Sequence, residues 1–101
     1  MFVDPKDLSR AIVVGLGYGT EPAPGYAPER LASEFGAQRA GELQPLVAAL
    51  LAELAKLPVE WSAHTLESAA RWAHTEMQRR HPQLSEAALQ ALEWKFSYDW
   101  R

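Results

Sequence analysis

The chain has no cysteine among its 101 residues, which excludes disulfide scaffolds, thiol chemistry and Cys-ligated zinc or iron–sulfur sites. No apolar run approaches the ~20 residues that a membrane-spanning helix needs, so no membrane association is expected. Positive charge is not in excess: 13 acidic side chains face 10 basic ones, for a formal net charge of -3. Nucleic-acid binding draws its affinity from phosphate neutralisation, and the one basic cluster here is Arg79-Arg80, so no nucleic-acid partner is expected. The N-terminus has no basic region leading into an apolar one, unlike a secretory signal, and a cytoplasmic location is expected.

What remains is ordinary globular material. Hydrophobic residues make up 48% and charged residues 23%, and the length sets one domain over residues 1–101. Asp4 suits an N-cap, Pro5 the first helical position and Asp7 the positive helix end, with Val3 and Leu8 spaced as a hydrophobic staple. Leu8, Ala11, Ile12 and Leu16 continue at helical spacing until Gly15, Gly17 and Gly19 end the helix. Residues 20–28 carry three of the seven prolines and read as an extended loop. A short helix follows, with Pro28 in its first turn, Leu31 and Phe35 one turn apart, and Gly36 as its stop.

Leu43, Leu46, Val47, Leu50, Leu51, Leu54 and Leu57 form the broad apolar stripe of a core helix. Because Pro45 belongs in a first turn, that helix is expected to start near Glu42 and to end at Pro58. A third long helix fits residues ~63–80, with Leu66, Ala69, Ala70, Ala73 and Met77 facing inward and Trp61 and Trp72 beside them. A last helix starts at Ser85. Its end is ambiguous, because residues 93–101 alternate polar and aromatic side chains as a strand would, while Leu89, Leu92, Phe96 and Trp100 keep helical spacing. Helix is favoured, since nothing else in the chain alternates as a ladder partner would. The expected fold is all-α: a small single-domain bundle of four to five helices with one Pro/Gly-rich loop.

Three constellations touch on chemistry. Residues 11–20 resemble the strand and phosphate turn of a dinucleotide fold, but Thr20 stands where the third glycine belongs and the prolines forbid the following helix. Glu60, His64, Glu67, Arg71, His74, Gln78 and His81 fall on one helical face, which amphipathicity alone predicts as the solvated one. Reading Glu60, His64, Glu67 and His74 as metal ligands gives a rival, a small metal-dependent enzyme. Its weakness is that Glu-x-x-His, the repeated unit of bundle metal sites, occurs nowhere. No serine lies in a Gly-x-Ser-x-Gly turn. No catalytic, cofactor-binding or metal-binding residue is assigned, and no enzymatic activity is expected.

Four tryptophans are many for a small alanine-rich bundle, and tryptophan is enriched at interface hot spots. Trp61, Trp72, Trp94 and Trp100, with Tyr98 and with Tyr26 of the proline-rich loop, are the expected protein-contact residues. In size, acidity and lack of catalytic parts the chain resembles the small bacterial immunity proteins that block a partner toxin, a resemblance of type carried by no motif. The expected function is non-enzymatic binding of another protein, as an inhibitor or immunity factor. The alternative is a homo-oligomeric protein, such as a homodimer, that buries its tryptophans between subunits.

Overall fold

Among the described residues a capping side chain or a first-turn proline marks the start of every α-helix but one, which follows Gly36 without a side-chain cap. The computed structural model describes residues 3–100, and among them the regular structure is entirely helical. Helix α1 (Pro5–Leu16) is capped by Asp4, whose carboxylate accepts from the Lys6 N–H at 2.8 Å. It ends at Gly17, which takes the left-handed conformation at φ 79° that closes helices and that a side chain would strain. Helix α2 (Pro28–Phe35) follows the loop, with Pro28 in its first turn and Leu31 buried. Then come α3 (Ala37–Ala55), a short 3₁₀ turn (Trp61–Ala63), α4 (Leu66–Arg80) and α5 (Glu86–Asp99).

Helix α1 lies at the centre and packs on α2, α3 and α5, while α2 lies along α3 and α4 along α5. The core is one continuous cluster, with Ile12, Leu16, Leu31, Leu43, Met77 and Phe96 among its bulkiest members. Ala69, Ala70 and Ala73 of α4, with Ala88 and Ala91 of α5, are buried at the same level, and their small side chains let these two helices approach closely. The C-terminal ambiguity resolves as helix: α5 runs to Asp99, and Ser85 caps it by accepting from the Ala88 N–H. Arg101, the last residue of the alternating run, lies outside the described residues.

Two expected helix starts are corrected. Helix α3 begins at Ala37, not near Glu42, and carries Pro45 in its interior. A proline there removes the bond to the carbonyl four residues earlier, which belongs to Gly41. Gly41 and Pro45 are both exposed, so the missing bond falls on the solvent side of the helix. The turns before Pro45 are held by tertiary contacts: Ala40 and Leu43 are buried, and Arg39 pairs with Asp7 of α1 and with Glu42. Helix α4 starts at Leu66 instead of residue 63. Thr65 and Ser68 exchange hydrogen bonds, Ser68 N–H to Thr65 Oγ1 at 3.1 Å and Thr65 N–H to Ser68 Oγ at 3.0 Å. That reciprocal cap fixes the first turn, and residues 61–63 form the separate 3₁₀ turn. The α3 stripe is also narrower than expected, because Leu46 lies at its margin and remains 38% exposed.

Candidate protein-contact surface

The loop expected to contribute to a contact surface is clamped from within. Arg30 of α2 reaches back to the end of α1, where Nε donates to the Val14 carbonyl at 3.0 Å and Nη2 to the Gly15 carbonyl at 3.0 Å. Nη2 also donates to the loop carbonyl of Gly25 at 2.6 Å. The last turn of α1 contains no basic residue of its own, so Arg30 supplies the positive charge that a helix C-terminus favours. Tyr26 is drawn in by the same geometry. A Cβ on Gly15 would lie 3.0 Å from the Tyr26 ring, so the absent side chain at position 15 makes the space that Tyr26 fills. The Tyr26 hydroxyl is buried without a hydrogen-bond partner among the described residues, and burial raises its ionisation above the usual value.

The tryptophans separate into three groups. Trp72 is half-buried and packs near His64, ring centres 6.2 Å apart. Trp94 is half-buried against Tyr18 at 5.5 Å, beside a cleft of about 430 Å³ that also includes His74, Glu86, Gln90, Glu93 and Ser97. Trp61 and Trp100 come together. Their ring centres are 5.4 Å apart, and both contact Phe96, with Trp61 nearly parallel to it at 6.2 Å. Phe96 is a core residue, whereas Trp61 remains 40% and Trp100 49% exposed. The pair is therefore an outward-facing aromatic surface whose base is continuous with the core. Tyr98 is exposed on α5 but sits two residues from Phe96, on another face of the helix. Of the six expected contact residues, Trp61 and Trp100 form one surface, and Tyr26 turns inward.

The polar stripe of the third helix is also rearranged. Glu60 and His64 precede α4 and do not share its face. His74, expected in solvent, keeps only 16% of its side chain exposed, because α5 crosses beside it. Its Nδ1 lies 2.7 Å from Glu93 and its Nε2 3.3 Å from Glu86, two carboxylates of α5 on opposite sides of the ring. His81 meets Glu53 of α3 at 2.8 Å, and Arg80 Nη1 donates to the same carboxylate at 3.1 Å. These histidines tie α4 to its neighbours. Among the described residues, no three His, Asp or Glu side chains converge to hold a metal ion. No helix among them is long and apolar enough to cross a membrane. Sequence reasoning missed Phe96 as the seat of the aromatic pair, although its i, i+4 spacing to Trp100 was legible.

The Glu53 contacts predict a pH dependence. Burial opposes the charge on Glu53, but hydrogen bonds from His81 and Arg80 outweigh it and hold the carboxyl below its usual range. Glu76 is held at about 2 by hydrogen bonds from Arg79 and Arg80. A lowered folded-state value means that the stabilisation is complete above the unfolded value of 4.5 and is lost as pH falls through the folded one. The urea midpoint of the wild-type chain should therefore decline on acidification from about pH 6 to about pH 3. Glu53→Gln should lower the midpoint at pH 6 and flatten part of that decline; equal slopes for both proteins would refute the assignment.

No family model matches the chain, and no curated protein or solved structure matches it either.

Proposed function

We propose that this chain is a non-enzymatic protein of the cytoplasm that acts by binding another protein, as an inhibitor or immunity factor, with Trp61 and Trp100 at the centre of the contact. The observation that carries the reading is the exposed indole pair resting on the buried Phe96. Large, rigid aromatic side chains with one polar atom dominate interface energetics, and here a firmly packed base holds them in place before binding. The accessible surface of 5793 Å² is close to the ~5,700 Å² expected of a self-contained monomer of 11.3 kDa. That area is what a single chain packed around its own core exposes, and the state in solution is left to light scattering.

Light scattering and affinity capture test the reading together. The isolated chain should scatter as a monomer of 11.3 kDa. A tagged chain should retain one stoichiometric protein partner. Each hot-spot tryptophan contributes about 2 kcal/mol or more, so Trp61→Ser combined with Trp100→Ser should weaken that complex by more than about 100-fold. A dimer in isolation, or capture unchanged in the double variant, would overturn it.

A further inference from the structure

Residues 58–64 cross from α3 to α4 as a strap over the C-terminal part of α5, where Trp61 meets Phe96 and Trp100. The strap's backbone is secured almost entirely to itself. Val59 N–H donates to the Leu57 carbonyl, Ala63 to Glu60, and His64 to Trp61 at 3.5 Å. Among the described residues, no backbone hydrogen bond joins the strap to α1, α2 or α5. The 3₁₀ turn has no side-chain cap and its three residues are exposed, while Pro58 has no N–H to contribute. Three side chains bind it to the body: Val59, half-buried against the core, Trp61 on its aromatic base, and His64 at the α4 end, with Nδ1 3.0 Å from Ser68 Oγ and its ring 6.2 Å from that of Trp72. Both ends are firm by contrast. Leu57 is buried where α3 finishes, and the Thr65–Ser68 cap fixes the start of α4.

We propose that residues 58–64 form a latch that opens as a local unit, with Trp61 as its catch, and that opening uncovers Phe96 beside Trp100. Segments with few buried contacts and only local backbone bonds open at lower free energy than the core they cover. The open form is then a minor state of about 0.1–10%, exchanging on the microsecond-to-millisecond scale. The latch deepens the protein-binding reading and rests on it for its use: it gives the contact surface a closed form with Trp61 stacked on Phe96 beside the tilted Trp100 and an open form with Phe96 uncovered.

Fluorine relaxation dispersion on the full chain labelled with 5-fluorotryptophan tests this without any partner. Single Trp→Phe variants assign the four resonances. Trp61 and Trp100 should disperse with a shared rate, while Trp94, which packs against Tyr18 away from the strap, stays flat. Val59→Ala, which trims the second anchor, should raise the open population several-fold. Flat profiles for Trp61 and Trp100 would overturn the latch, as would one common rate for all four tryptophans, which would report opening of the whole fold. Either result leaves the partner-capture experiment standing, and failed capture leaves the dispersion result standing.

Discussion

Phe96→Ala is expected to be the most damaging single truncation in the chain, lowering stability by about 3–5 kcal/mol. Phe96 is 2% exposed and is the bulkiest of the fully buried side chains. Part of the loss is the apolar area returned to water, and part is the cavity that a rigid helix pair cannot close. Here the cavity opens directly beneath two indoles: Trp61 loses its parallel ring partner at 6.2 Å and Trp100 its tilted one at 6.3 Å. For a domain of about 100 residues, the midpoint of thermal unfolding should fall by at least about 12 °C. Tryptophan emission of the folded variant should shift to the red as Trp61 and Trp100 become wetter. Phe96→Leu keeps most of the volume and loses the ring, so it should cost less than about 1.5 kcal/mol while still disturbing the emission. If Phe96→Ala costs under about 1 kcal/mol, or leaves the emission unchanged, the aromatic base described above is wrong.

Most of what depended on near neighbours in the chain was legible in the sequence, the Thr65–Ser68 cap of α4 excepted. Asp4, Gly17, Gly36 and Ser85 act within one turn of themselves: Asp4 and Ser85 start helices, and Gly17 and Gly36 end them. The strand reading of the C-terminus failed because alternation over nine residues means little without a second strand to pair with. Long-range contacts were not legible. Pro45 argued for a late start to α3, and only the burial of Ala40 and the Arg39–Asp7 pair, 32 residues apart in sequence, show why the helix begins earlier. His74 looked solvated because no periodicity within α4 reveals that Glu86 and Glu93 approach it from α5. The tryptophan excess pointed to a contact surface, but composition cannot say which indoles meet. Trp61 and Trp100 are 39 positions apart, and the fold alone makes them neighbours.

Arg30→Met should cost about 2–3 kcal/mol, although the residue is partly exposed and lies on the shortest α-helix. The methionine keeps an apolar stem of similar reach and removes the guanidinium, so the cost isolates the hydrogen bonds. Those bonds join three places: the last turn of α1 at Val14 and Gly15, the loop at Gly25, and α2 itself, beside two backbone bonds from the Gly25 N–H to the Leu16 carbonyl at 3.3 Å and from the Ala27 N–H to the Gly15 carbonyl at 2.9 Å. Each carbonyl receives a charge-assisted bond, and the charge also offsets the negative end of the α1 dipole. Arg30→Lys should recover little, because a single ammonium cannot present the planar fork that reaches carbonyls on both segments. Two measurements separate this account from a simple loss of surface charge. Thermal unfolding should show a midpoint lowered by about 8 °C or more. Limited proteolysis should show cleavage moving into residues 20–27, since the prolines of that segment bar it from refolding as helix once the clamp is gone. A loop still resistant to cleavage in Arg30→Met would mean that the Gly25 and Ala27 backbone bonds, with Tyr26 in the space left by Gly15, hold the loop to α1 without the guanidinium.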